Sequence, residues 1–163
     1  MPSSYEVESS VTLNEDPEVV FDFLLFFFRL NPDSRFLVKG SLTESERLVT
    51  LNQGRVATSP GPRAATQWDY PNLLVLEHFS APFLKREVLK IQRMEDATKL
   101  TWTWRSESRN LLEKVFIAIH RRGLNKMRAI HQSHTDRVGM ELTQREESGI
   151  GEHFDSFRSE LHG

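Results

Sequence analysis

The segment from about Arg109 to Leu142 is the feature that most constrains this chain. At roughly 100° per residue, Leu112, Phe116, Ile119, Gly123, Met127, Ile130, His134 and Val138 share one face, while Lys114, Arg121, Asn125 and Arg128 fall away from it. The spacing predicts a helix of about nine turns with one buried stripe. Such a length is unusual, because the mean globular helix has about 11–12 residues. In a chain of 163 residues it has to lie across something equally long, and the strands that precede it are the available surface.

Those strands show in the patterning. Tyr5, Val7, Ser9, Val11 and Leu13 alternate with Glu6, Glu8, Ser10 and Thr12, the period-two pattern of a half-buried strand. Asn14-Glu15-Asp16-Pro17-Glu18 then starts a helix, with Asp16 at the N-cap, Pro17 at the first helical position and Glu18 near the positive end of the dipole. This helix runs to about Leu30, and its interior from Val19 to Phe28 is apolar nearly all round. A helix of that kind is either covered on several sides or faces a partner, so a homodimer built on it stays open. From Arg35 to Glu107 the pattern changes to short strands with turn signals between them. We read strands near Phe36 to Thr43, Arg47 to Ala57, Ala64 to Tyr70, Leu73 to Ser80, Leu84 to Met94 and Lys99 to Glu107. In the last of these Leu100, Trp102 and Trp104 share a face that should point inward. Beyond the long helix, residues 143–163 read as a loose polar tail, with a docking turn around Phe154 and Phe157.

Composition excludes several function classes. A length of 163 residues fits one domain, large enough to bury about two thirds of its unfolded surface. The formal charge of -2 does not favour generic nucleic-acid binding. With no cysteine, disulfides, thiolate metal sites and cysteine nucleophiles are ruled out. The opening Met1-Pro2-Ser3-Ser4-Tyr5-Glu6 lacks the basic and apolar regions of a signal peptide. No run reaches the ~18 apolar residues of a membrane span, so no integral membrane association is expected and the cytoplasm is the default location.

Strand, helix, six more strands and a long helix is an order that solves one physical problem. A curved antiparallel sheet with an apolar concave face needs a cover, which the long helix supplies. The order resembles the START-like, or Bet v 1-like, helix-grip superfamily, which includes the polyketide cyclase/dehydrase and lipid-transport group. The resemblance is carried by Val11-Thr12-Leu13-Asn14-Glu15-Asp16-Pro17-Glu18-Val19-Val20-Phe21, similar to the family's strand-to-helix junction, and by Tyr70 to Leu76, Ala81-Pro82-Phe83 and Thr98 to Trp102, similar to its later hairpins. Where the family commonly carries a tryptophan soon after the first helix, this chain has Asn31-Pro32-Asp33-Ser34-Arg35-Phe36. The resemblance implies an α+β helix-grip domain over residues 1–142. In it a curved seven-stranded antiparallel sheet wraps around the C-terminal helix, with a short helical segment after the first strand.

In that fold the space between sheet and helix is commonly a cavity, walled here by Trp68, Trp102, Trp104, Phe116, Ile119, Met127 and Ile130; alternatively the same side chains simply fill the core. His134, in the buried stripe with His131 and His120 toward one edge, could orient a ligand carbonyl or act as a general acid or base, or could be a hydrogen-bonded core histidine. His131, His134 and Asp136 have helical spacing but no convincing third ligand, so no metal and no cofactor is expected. Glu77 and His78 are neighbours in an apolar strand, so one of them points inward. Of Glu87 and Arg86, one reaches the cavity by the same rule. Cross-strand salt bridges would explain both pairs without chemistry. The patch His120-Arg121-Arg122 with Lys126 and Arg128 reads as a solvated face.

Three functions follow as expectations. The first is a carrier or sensor that encloses a small hydrophobic or aromatic molecule between sheet and helix. The second is an enzyme of the polyketide cyclase or dehydratase type. The third is an interaction module that uses the Phe-rich first helix as its surface.

Overall fold

The computed structural model describes residues 4–56, 63–80, 83–107 and 124–163. The alternating opening segment is strand β1 (Ser4–Leu13), with Val7, Ser9 and Leu13 turned inward. Helix α1 (Pro17–Phe27) begins as the sequence indicates, although the Asp16 side chain makes no capping bond. It stops short of Leu30, because Arg29 takes a left-handed φ of 59° and the Leu30 N–H donates to Leu25 O at 2.9 Å. That pair of features closes the last turn in place of a glycine.

In place of the expected seven strands, the sheet has six among the described residues. They are β1, β2 (Gly40–Ser41), β3 (Ala64–Asp69), β4 (Leu73–Ser80), β5 (Phe83–Arg93) and β6 (Thr98–Glu107), in the order β1-β6-β5-β4-β3-β2 and antiparallel throughout. The segment expected as a strand from Arg47 to Ala57 is instead helix α2 (Glu44–Val56), as far as it is described. Thr43 explains the difference. Its Oγ1 accepts the Glu46 N–H at 3.2 Å and donates to Glu46 Oε1 at 2.9 Å, so Thr43-Glu44-Ser45-Glu46 starts a helix rather than turning between strands. Upstream, Phe36 to Thr43 supplies only a single-turn 3₁₀ helix (Ser34–Leu37) and the two residues of β2.

The sheet's inner face changes character along its length. At one end Leu74, Leu89, Ile91, Leu100 and Leu13 form the core with α1. At the other end the same face carries His78, Lys85, Glu87, Trp104 and Ser106, placed side by side by the β4–β5 and β5–β6 registers. The Phe-rich face of α1 is spent inside the molecule: Phe21, Phe23, Leu24 and Leu25 are buried, and Phe28 lies 5.4 Å from Trp102 in an edge-on contact.

The long helix is described as α3 (Leu124–Thr143); Leu112, Phe116, Ile119 and Gly123 of the expected stripe lie outside the described residues. Within α3 the buried face is His131, Thr135, Val138 and Leu142, whereas Ile130 is 44% exposed and His134 is exposed. The helix is therefore rotated by about one residue, roughly 100°, from the stripe read on hydrophobicity alone. Ser9 accounts for this rotation. Its hydroxyl meets His131 Nδ1 at 2.7 Å and Thr135 Oγ1 in a short hydrogen bond, so each of two polar residues in the interface has a partner, although His131 Nε2 has none. Gly139 permits the close approach: a Cβ there would come within 3.1 Å of Leu13 and Val11 on β1.

The expected loose tail is helical. After the short helix α4 (Arg145–Ser148), Gly149 reverses the chain with φ 83°, and α5 (Gly151–His162) packs back onto α1. Phe154 meets Phe23 at 5.3 Å and Phe26 at 5.6 Å, and Phe157 also reaches Phe26. Phe154, Phe157 and Leu161 are spaced three and four apart, the helical period. A buried ion pair fastens this helix: Asp22, fully buried on α1, accepts from Arg158 Nε at 2.9 Å and pairs with His162 Nε2 at 2.8 Å. Removing one partner of a buried charge costs more than the pair contributes, about 3 kcal/mol. Arg158→Leu should lower unfolding stability by that order in urea denaturation, whereas Glu147→Ala, at an exposed position, should leave the midpoint unchanged.

Candidate functional site

The pleat decides which of the neighbouring polar residues faces in. Leu74 and Leu76 belong to the core, so His78 follows them on the inner face and Glu77 turns to the other side. There Glu77 is bound by Arg47 of α2, whose Nε lies 2.6 Å from Oε2 and whose Nη2 lies 3.0 Å from Oε1. On β5 the inner face holds Leu89, Glu87 and Lys85, so Glu87 rather than Arg86 is inward.

Between this polar end of the sheet and α3 lies a cavity of about 310 Å³. His78, Lys85, Glu87, Trp102, Trp104 and Ser106 line it on the sheet and Met127 and His134 on the helix, and Arg63, Arg86 and Arg105 also border it, so both Glu87 and Arg86 reach it. Glu87 is 2% exposed and accepts a hydrogen bond from Arg63 Nε at 2.5 Å. The Arg63 guanidinium rests 5.0 Å from the Phe28 ring centre, so it is gripped between the carboxylate and α1. His78 Nε2 lies 3.9 Å from the same Glu87 oxygen, and His78 Nδ1 is buried with no hydrogen-bond partner. The Trp104 indole N–H is likewise without a partner, and the Trp102 N–H lies toward Glu87, near enough to favour its charge without closing a hydrogen bond.

The electrostatics follow from burial. Desolvation, reinforced by the Arg63 and Lys85 charges, pushes the His78 pKa down to about 4, so this ring is neutral at pH 7. Desolvation raises the Glu87 carboxyl and the Arg63 charge opposes that rise. Burial also pulls the Lys85 ammonium below the usual lysine range. Behind Trp104, at a ring distance of 4.2 Å, His131 is pushed to about 4 by burial and then by His134.

A larger opening of about 610 Å³ lies between α2, the 3₁₀ turn and β3. Its charged groups are already engaged, Arg35 with Asp33 at 3.1 Å and Glu46 with Thr43. None of the described buried polar atoms that lack a partner belongs to it. The smaller cavity, with such atoms in its walls, is the better candidate.

Of the residues singled out by sequence, His78, Glu87, Trp102, Trp104, Met127 and His134 border this one cavity, His134 at its exposed rim 5.7 Å from Trp104. Three others lie elsewhere. Trp68 packs edge-on against Phe36 at 5.0 Å and donates to Arg35 O at 3.0 Å; Glu77 faces α2; Ile130 points to solvent. Phe116 is outside the described residues. Arg63 and Lys85 are additions. Lys85 was available from the sequence, being two residues before Glu87 on the same face, whereas nothing in the sequence pairs Arg63 with Glu87 across 24 positions. Among the described residues no three His, Cys, Asp or Glu side chains converge as metal ligands.

No protein-family model matches the sequence and no curated protein matches it significantly. Solved structures do match. CalU16 from Micromonospora echinospora superposes with a TM-score of 0.51 at 9% identity, covering 98% of this chain and 90% of that one. TTHA0849 from Thermus thermophilus superposes at 0.52 with 12% identity, covering 86% of this chain and 99% of that one. The chain has the START-like, or Bet v 1-like, helix-grip fold. A third match, the Polyketide_cyc-like protein Cgl2372 from Corynebacterium glutamicum, has 10% identity over 94% of this chain and 98% of that one, at 0.46 too loose a superposition to argue from. In helix-grip geometry the cavity here is the gap between sheet and C-terminal helix.

The two depressed histidines give the site a pH signature. A histidine whose folded pKa lies below its unfolded value of 6.5 takes up its proton mainly on unfolding. The unfolded state therefore binds more protons between pH 6.5 and about 4, and stability falls as pH drops through that window. Each ring should contribute on the order of 2 kcal/mol to the loss. In urea titrations across that range, His78→Gln and His131→Gln should each flatten the slope of stability against pH.

Proposed function

We propose that the protein is a carrier or sensor that binds a small hydrophobic or aromatic molecule in the cavity between its sheet and α3. The observation that carries this reading is the pairing of this cavity with buried polar groups left without partners, His78 Nδ1 and Trp104 Nε1 among them. A core selected only for stability satisfies such groups, because each unmet one costs about 1–3 kcal/mol. A binding site keeps them for a ligand. At about 310 Å³ the cavity is at the small end for ligand sites, which run from roughly 300 to 1,000 Å³. Affinity would come from apolar burial against Trp102, Trp104 and Met127, at about 25 cal/mol per Å² before association costs. No described helix is long and apolar enough to cross a membrane.

A second reading, a cyclase or dehydratase, is favoured by one feature. Neutral His78 lies 3.9 Å from buried Glu87, two groups able to take a proton from a carbon acid and return it to a departing hydroxyl as water. The interaction-module reading gains less, since the aromatic face of α1 is occupied by α5, Trp102 and the core.

The neutral fluorophore N-phenyl-1-naphthylamine tests the first reading. It should bind the purified protein with a blue-shifted, enhanced emission. Met127→Trp, which fills the cavity from the helix side, should abolish that signal while the thermal midpoint stays within a few degrees. Unchanged fluorescence in the variant would place the probe elsewhere and sink the proposal. The enzyme reading separates from it through Glu87→Gln: a catalyst loses turnover of a poly-β-ketone substrate by about 100-fold or more, whereas a carrier never showed turnover to lose.

A further inference from the structure

Lys85 is the charged group the site does not explain. It stands on the inner face of β5, two residues from Glu87, and its cross-strand neighbours are His78 and Ser106, neither of them an anion. The Glu87 carboxylate is committed to Arg63 through the 2.5 Å hydrogen bond. Glu77, the next carboxylate along the sheet, is on the opposite face in the grip of Arg47. Lys85 has no hydrogen bond or ion pair among the described residues, yet it is half-buried in the cavity wall. Among the described residues the cavity is bordered by four cations, Arg63, Lys85, Arg86 and Arg105, against one carboxylate, Glu87, and neutral His78 changes nothing in that balance. Protonation of Glu87 would only enlarge the positive excess.

A desolvated ammonium that shares its one carboxylate, Glu87, with Arg63 is expensive to keep, and burial depresses its pKa while the Glu87 charge opposes that fall. Around it lie the unpartnered donor of Trp104 and, more than nine-tenths buried, the unpartnered Nδ1 of His78. Charge excess, unused donors and an apolar bed of Trp102 and Met127 share one cavity. We infer that the ligand carries a carboxylate bound by Lys85, so that the protein takes small aromatic carboxylic acids in preference to their neutral amides. The excess is positive, which suits an anion, and a cationic ligand would meet Arg63 and Lys85 directly. This inference rests on the binding reading proposed above and specifies its ligand class.

The test is calorimetric titration with 1-naphthoate and 1-naphthamide, which share shape and differ in charge. The wild type should bind the acid about tenfold or more tighter than the amide. Lys85→Met should remove that preference by weakening the acid alone, Lys85→Arg should keep it, and Lys90→Met, at an exposed position on the other face, should change neither. Lys85→Gln serves as the second neutral variant should the methionine disturb folding, which the circular-dichroism melting curve reports. Equal affinity for acid and amide in the wild type, or an acid preference that survives both neutral variants, overturns the carboxylate assignment and leaves the cavity reading standing. Binding of neither compound, with N-phenyl-1-naphthylamine also excluded, overturns the cavity reading and the inference together.

Discussion

The antiparallel register of β5 on β6 is the constraint on which the rest depends. It sets Ile91 beside Leu100, Leu89 beside Trp102, Glu87 beside Trp104 and Lys85 beside Ser106. Read along the strands, one inner face passes from aliphatic to aromatic to charged. A slip of one residue would turn Glu87 and Lys85 outward and bring Arg86 and Val88 in. The apolar end and the polar end of the molecule are thus two parts of one strand pair.

Each end is finished differently, and the difference creates the cavity. At the apolar end α1 lays Phe21, Leu24 and Leu25 onto the sheet, and α5 closes the outside through Phe154 and the Asp22 ion pair. At the polar end the sheet is covered by α3, held to β1 by Ser9, His131 and Thr135 and drawn close by Gly139. That grip lies along the β1 side. Between it and Glu87 there is no side chain from α1 to fill the space, since the helix turns away after Phe28 at the left-handed Arg29. The position where α1 ends therefore decides where packing gives way to a void. Phe28 marks the border, in contact with Trp102 on the core side and with Arg63 on the cavity side.

What was legible in the sequence is what simple periodicity encodes. β1, the start of α1 and the strands β3 to β6 follow from alternation and turn chemistry, and Leu100 and Trp102 face inward as that alternation requires. The failures share a cause, which is that polar atoms took part in packing. Thr43 and Glu46 cap a helix where their residue types suggested a turn. His131 and Thr135 sit at the α3 interface because Ser9 bonds His131 Nδ1 and the Thr135 hydroxyl, so a stripe scored on hydrophobicity came out rotated. In the same way α5 was hidden in a polar composition, although Phe154, Phe157 and Leu161 have helical spacing. For the candidate site, alternation could narrow Glu77/His78 and Arg86/Glu87 to one inward member each, but choosing needed the register. Arg63 could not be found at all, since its role exists only across the fold.

The charge arrangement in the cavity also bears on how rigid its walls are. Glu87 cannot easily move, being hydrogen-bonded to Arg63, which in turn lies on Phe28 of the core. Trp104 is backed by His131, itself fixed through Ser9 to β1. The donors of the cavity are therefore mounted on groups whose own positions are set by packing, so a ligand need not order them on arrival. Preorganisation of this kind lowers the entropy cost of association, which for an immobilised long side chain is about 0.5–1.5 kcal/mol. Lys85 is the exception. It has no hydrogen bond or ion pair among the described residues and feels only the Coulombic pull of Glu87, so a ligand has to order it, and the affinity it adds is the Coulombic gain less that ordering cost. A site with fixed aromatic walls and one adjustable cation discriminates by the charge of a ligand's head more sharply than by the details of its apolar body.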